Sequence, residues 1–318
     1  MESPHAGGAE PFGLWGRSFR PFFLLLSLHA VLVLPWWTMA WLGWGAVPVW
    51  LAPMQWHGHE MLFGFVGAAI AGFVLTAAPV WTGRPALSGA RLAALAGLWL
   101  AGRVVLAGAG MLSTWVVAVV DVAFLPAVAF VLARTLGSAG PTRNHGVLFV
   151  VAVLALANAA MHAEALGLAT RTAAPALRFA VDLVVALVLV IAGRITPAFT
   201  QNALRRQGRD ASVRTRPWAG GVAIGAAVAL AIATPALGRG AATGVLALVA
   251  GLAAAVRLVG WQTRCVLDDA LLWSLHAGSV WIAAGLLLVA AGDLTEVVPA
   301  AAGLHALTAG AMGTTILA

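Results

Sequence analysis

Histidine is the residue type in this chain that can do the most chemistry. There are eight, in 318 residues that otherwise carry 18 basic side chains, 11 acidic ones and a single cysteine. Neutral imidazole is the usual ligand of haem iron and a good ligand for copper. One cysteine, Cys265, excludes an intrachain disulfide, an all-cysteine iron–sulfur cluster and a cysteine-based zinc knuckle. A cofactor therefore has to be held mainly by histidine. No P-loop, dinucleotide fingerprint or His-Glu-x-x-His motif is present.

His57 and His59 flank Gly58 in W-H-G-H-E at 56–60, with Glu60 directly after them. On a regular helix two positions are separated by about 200°. One ring of the pair then faces a bundle interior and the other a second neighbour, unless His57 still belongs to the preceding loop. His162 lies in M-H-A-E at 161–164, two residues before Glu164. Both glutamates read as solvated interface residues, with orientation of an imidazole or proton relay as the alternative. His276, His305, His29, His145 and His5 complete the set.

The elements that must position these residues are membrane helices. The chain is 62% hydrophobic and only 9% charged, with a mean hydropathy of +0.96. A soluble globular protein has about 25% charged residues, so this chain cannot coat a soluble domain of its size. The net charge of +7 comes entirely from arginine, spread in short groups between apolar runs, which argues against a nucleic-acid partner. Runs of about 20 apolar residues suit transmembrane helices. Ten such runs fall at about 21–44, 57–80, 92–110, 112–134, 146–166, 174–197, 217–236, 241–261, 270–291 and 298–318. The expected fold is an all-α polytopic membrane protein, a single helical domain over 1–318. It has a short cytoplasmic N-terminal tail at 1–18 and a basic cytoplasmic loop at about 200–216. The last run stops without polar flanks, which reads as a C-terminal truncation of a longer bundle.

Arginine placement sets the orientation, because cytoplasmic loops carry the excess of basic residues. With the N-terminus in the cytoplasm, Arg17, Arg20, Arg84, Arg91, Arg134, Arg143, Arg205, Arg206, Arg209, Arg214, Arg216, Arg257 and Arg264 fall inside. Only Arg171, Arg178 and Arg239 fall outside, with Arg103 and Arg194 within helices. Trp36, Trp37, Trp41, Trp44, Trp50 and Trp56 crowd the first outer loop and its flanks, as an interfacial belt does.

Depth then sorts the histidines. His57 and His59 open the second helix at the outer side, His162 lies about 6 Å and His305 about 10 Å from that side. Four imidazoles from three helices at similar depth suffice for a bis-histidine haem, or for haem with one copper. His29 and His276 fall nearer the inner side, and His145 begins the fifth helix there. Arg103, about 10 Å below the outer surface, and Asp121, about 13 Å below it, lie on consecutive antiparallel helices. Two readings of Arg103 follow: a buried ion pair with Asp121, or a charge-assisted bond to an anionic cofactor group such as a haem propionate. Interfacial histidines bonded to headgroups, backbone or water are the plain alternative to a metal site.

The motifs also carry a family resemblance. W-H-G-H-E-M-L-F-G-F at 56–65 runs on to A-G-F-V-L-T-A-A-P-V-W-T-G-R-P at 71–85. S-F-R-P-F-F-L at 18–24 precedes it. A-L-A-N-A-A-M-H-A-E-A-L-G at 155–167, G-R-I-T-P-A-F-T-Q-N-A-L at 193–204, W-S-L-H-A-G at 273–278 and L-H-A-L-T-A-G-A-M-G-T at 304–314 follow. Together they resemble the bacterial NnrS family over nearly the whole chain. The resemblance implies a twelve-helix bundle in the bacterial inner (cytoplasmic) membrane, of which this chain would hold ten helices. It also implies haem, of b type, and copper, with a link to denitrification and to defence against nitric oxide or a related small nitrogen species. The family's histidine positions match at His57, His59, His162, His276 and His305, which are the metal candidates. His57, His59, His162, His305 and Arg103 are the candidates for holding the cofactor. Binding and turnover of nitric oxide are both compatible with these residues, and turnover needs an electron donor that the sequence does not name. The competing class is a polytopic transporter without bound metal.

The topology is directly testable. A reporter fused after Arg209 should report the cytoplasm and one fused near Pro48 the outside, and both reporters on one side would refute the ten-span map.

Overall fold

The computed structural model describes residues 13–137, 145–209 and 212–318. His5 and Arg143 lie outside the described residues, as do most of the expected N-terminal tail and positions 210–211 of the expected basic loop. Ten helices are long and apolar enough to cross a membrane. They are α1 Phe19–Trp41, α2 Pro53–Thr82, α3 Gly89–Ala107, α4 Thr114–Leu136 and α5 His145–Ala165. Then come α6 Ala173–Arg206, α7 Pro217–Leu237, α8 Ala241–Leu258, α9 Ala270–Thr295 and α10 Ala300–Leu317. No β-strand occurs among the described residues. The protein is an all-α polytopic membrane protein, and each helix overlaps one of the ten apolar runs.

Two of the boundaries that differ from expectation matter most. α2 starts at Pro53, with Pro at the first helical position where its missing N–H costs nothing. The expected start was 57, so His59 and Glu60 sit deeper along this helix than their sequence position suggests. α6 continues through Pro197 to Arg206, taking up the start of the expected basic loop.

The chain divides into two compact units, Met1–Leu177 and Arg178–Ala318. In the first unit α2 is the central helix: 78% of its most apolar window is buried, against 22% for α1. It packs on α1 and on the second half of α4. Its helical geometry is interrupted by a π-helical stretch at Glu60–Val66. The Trp99 indole of α3 donates to the Gly64 carbonyl within it at 3.0 Å. α4 breaks between Val122 and Phe124. Pro126 explains the break, since its ring clashes with the carbonyl four residues earlier, at Val122. The break falls two residues after Asp121, at Ala123.

In the second unit α7, α8, α9 and α10 pack in sequence order. Their contacts are made at glycines. A Cβ at Gly303 would stand 2.7 Å from the Val289 side chain and 2.9 Å from its backbone nitrogen, and one at Gly285 would stand 2.7 Å from Leu307. Small residues let helix backbones approach where lipid supplies no hydrophobic drive to associate. α10 carries a second π-helical stretch, Ala306–Gly313, directly after His305.

Substitution at these contacts should be graded by what the new methyl meets. Gly303→Ala should lower unfolding stability in detergent by about 1–3 kcal/mol, the usual cost of overpacking. Gly225→Ala, with nothing within 4 Å of the added methyl, should be neutral or slightly stabilising, because Ala is the better helix former.

Candidate metal centre

The first unit encloses a cluster of polar groups supplied by α1 to α5. From α2 come His59 and Glu60, from α3 Arg103, from α4 Asp121, from α5 Asn158 and His162, and from α1 His29. All but Arg103 are buried, and the Arg103 side chain is only 10% exposed.

Asp121 is the hub. Its Oδ2 accepts from His162 Nε2 at 2.8 Å, His59 Nε2 at 3.1 Å and Asn158 Nδ2 at 2.9 Å. Its Oδ1 is ion-paired with Arg103. Arg103 donates a second bond, Nη1 to Glu60 Oε1 at 2.7 Å. Glu60 Oε1 also accepts from His59 Nδ1 at 3.2 Å, and the Glu60 backbone carbonyl accepts from His29 Nε2 at 3.1 Å. A buried charge in lipid is costly unless paired and hydrogen-bonded. Here one guanidinium serves two carboxylates, and the imidazoles and the amide satisfy much of the remaining acceptor capacity.

Local sequence features let these groups meet. Asn158 and His162 are four residues apart and so share one face of α5. A Cβ at Gly64 would lie 2.6 Å from His29 Nε2 and 3.0 Å from Arg103 Nη1, and one at Gly102 would lie 3.0 Å from Asp121 Oδ1. Glycine at both positions leaves room for the cluster. π-Helical segments are frequent at functional sites, and the one in α2 begins at Glu60 itself.

His59, Asp121 and His162, all buried, each bring one possible ligand atom within 4.8 Å of the other two, and both Nε2 atoms already meet Asp121 Oδ2. Two imidazole nitrogens and one carboxylate oxygen suit a divalent transition metal such as copper. His59 Nδ1 faces the Glu60 carboxylate, the second-shell bond that commonly fixes a metal-ligating histidine with its other nitrogen toward the ion. His59 Nε2 faces two oxygens, Asp121 Oδ2 and Asn158 Oδ1, the latter at 2.8 Å. Each line needs a proton or a metal cation between lone pairs. The residues present therefore fit a single small ion. They do not fit a porphyrin in this packing. The His59 and His162 ring centres are 5.6 Å apart, and Trp50 lies against both at 4.8 and 4.9 Å. Phe63 stands 5.0 Å from His59, and the Asp121 carboxylate already meets the Nε2 atoms of both histidines.

The other candidates lie as follows. His57 stacks on Trp37 of α1, ring centres 4.4 Å apart, away from the face His59 presents to Asp121. His305, in the second unit, is exposed and bonds the Ala301 carbonyl of its own helix through Nδ1 at 2.7 Å. His276, also in the second unit, is buried with both ring nitrogens engaged. The Thr200 hydroxyl already donates to the Thr196 carbonyl, so it accepts from His276 Nε2 at 2.9 Å, and Thr263 donates to Nδ1 at 2.9 Å. Arg103 makes the expected ion pair with Asp121 and adds Glu60, which is buried rather than solvated at an interface. Glu164 instead accepts from the Ala173 backbone N–H at the start of α6, at 2.7 Å.

His29, ranked away from the outer histidines by depth, belongs to the same network. The earlier start of α2 carries Glu60 about 10 Å into that helix, at 1.5 Å per residue from Pro53. Asn158 was missed, although its spacing from His162 is legible. Trp50 and Trp56 are not belt residues: Trp56 is 1% exposed and Trp50 walls the centre. Trp41 and Trp44 are exposed, as a belt requires.

These features define a class: a multi-pass helical membrane protein with a buried histidine–carboxylate–arginine cluster able to take a metal ion. The NnrS protein family matches the chain over residues 13–318, and the chain belongs to it. Membership makes this a nitric-oxide-associated membrane protein at the level of the family, and the family is generally metal-associated. No curated protein and no solved structure matches the chain.

Removing one member of the central pair should cost more than removing both. Arg103→Leu leaves two buried carboxylates without their shared cation and should destabilise the fold by about 3–5 kcal/mol. Arg103→Leu combined with Asp121→Asn should recover part of that loss. Thermal unfolding of the two variants in one detergent checks the order.

Proposed function

We propose that this chain binds a copper ion at His59, Asp121 and His162 in the bacterial inner membrane, with its N-terminus in the cytoplasm. We propose further that it acts there in handling nitric oxide or a related small nitrogen species. The observation that carries the reading is the convergence of one possible ligand atom from each of His59, Asp121 and His162 within 4.8 Å. The charge pattern that supports the orientation is the excess of arginine on one set of loops.

Copper held there supplies a one-electron couple and, with three protein donors, a position for a small neutral molecule. The residues around it have separate tasks. Glu60 holds the His59 ring through Nδ1 and keeps Nε2 directed inward. Asn158 bridges His59 and Asp121 and fixes their separation. Arg103 pairs with Asp121 and Glu60 and so limits the negative charge left buried when no ion is bound. Trp50 and Phe63 pack against the imidazoles and exclude water from them.

The test is metal content and visible spectra of the purified chain, expressed with copper and haem supplied. Near-stoichiometric copper is expected in the wild type and in His145→Ala, and its loss in His59→Ala and in His162→Ala. Glu60→Gln should weaken copper binding about 10–100-fold, the usual cost of a lost second-shell partner. Copper retained by both ligand variants would overturn the assignment. A Soret band that vanishes in those two variants would put haem iron at this centre instead. Absence of any bound metal would leave the transporter reading standing.

A further inference from the structure

Arg257 is a buried charge in the second unit that the metal centre does not use. It stands in the last turn of α8 and is 7% exposed, although its place in the sequence groups it with the flanking loop arginines. Its Nη2 donates to the Leu189 carbonyl of α6 at 2.8 Å. Its Nη1 is buried and has no hydrogen-bond partner among the described residues. Arg103, Arg178 and Arg239 each reach a carboxylate within ion-pair distance. Arg257 reaches none among the described residues.

The surroundings accept the cation without neutralising it. The guanidinium carbon lies 5.5 Å from the centre of the Trp261 ring, which is itself 2% exposed. A carbonyl dipole and an aromatic face each offset part of the charge, but a whole positive charge in an apolar interior calls for a counter-charge. The space has been kept open for the guanidinium, since a Cβ at Gly193 would collide with it. Arg257, Leu189, Ala192, Trp261, Ser279 and Ile282 are among the residues lining a cavity of about 10 Å³, close to what one water molecule occupies. That size admits a monatomic ion and rejects phosphate, sulfate or the carboxylate of a large cofactor.

We propose that Arg257 and Trp261 form a binding site for a small monovalent anion of the halide class, seated in this cavity against Nη1. The anion would take the orphaned N–H through a charge-assisted bond and complete the neutralisation that Leu189 and Trp261 begin. The site is independent of the copper assignment, as all of its residues belong to the second unit.

The test uses the full chain in detergent at constant ionic strength, starting from a gluconate medium and titrating in bromide. Bromide quenches tryptophan fluorescence on contact, so a bound ion beside Trp261 gives a saturable component above linear collisional quenching. Wild type should show that component together with a saturable rise in Tm, chloride should give the same rise in Tm, and sulfate should give neither. Arg257→Gln should lose both effects. Trp261→Phe should lose the saturable quenching and keep a saturable rise in Tm. Equal responses in wild type and Arg257→Gln would overturn the proposal, as would no saturable response in wild type or a sulfate effect equal to bromide's. Should Arg257→Gln fail to fold, Trp261→Phe decides: saturable quenching that survives without Trp261 places the ion elsewhere.

Discussion

The structure of the first unit depends on one buried carboxylate. Asp121 is 1% exposed in a helix that crosses the membrane, where an unpaired charge would be expelled or would carry the helix out of register. It is retained because Arg103 from the neighbouring helix meets one oxygen while three donors from α2 and α5 meet the other. That single requirement ties α2, α3, α4 and α5 together at one depth. The same requirement explains the small side of each helix facing the cluster, at Gly64 and Gly102. It also explains why α2 is the most enclosed of the spans in that unit.

The cluster is at once a structural lock and a set of metal donors. A polar network buried in an apolar surround strengthens each of its members and raises the cost of an incomplete one. The His59–Glu60 and Asp121–Arg103 contacts are therefore as much a condition of folding as of binding. In the second unit the logic is different. There glycine-lined helix contacts carry the packing, and polar side chains mostly close on nearby groups, as Asp182 does on Arg178 and Thr234.

All ten spans were legible in the sequence because each is a long apolar run in a chain with few charges, and that signal does not depend on neighbours. Arg103 with Asp121 was legible as well, since two opposite charges at like depth on adjacent antiparallel helices have few other partners. Depth along α2 was not legible. The residues 53–56 read as a loop beside Trp50 and Trp56, yet they form the first turn, and that offset hid both the burial of Glu60 and the link to His29. The role of Asn158 depends on which face of α5 turns inward, and a helix apolar all round gives no periodicity to fix it. Arg257 misled for a related reason: a basic residue near a helix end is normally a topology signal, and only packing distinguishes the buried exception.

The π-helical stretch of α2 divides that span into two segments that differ in phase. In a uniform α-helix each residue advances about 100° around the axis, so the faces of the upper and lower halves are rigidly linked. Here the wider turn at Glu60–Val66 sits between His59 above and the tightly packed run Gly67–Ala78 below. The ligand-bearing half is thereby indexed separately from the half that anchors the bundle. Losing one residue from that stretch would leave the composition and the span length almost untouched, yet would swing His59 by roughly a quarter turn relative to the anchored half. The alignment of donors in this fold is thus encoded as a count of residues, and a silent-looking deletion in α2 would be more damaging than many substitutions at the centre itself.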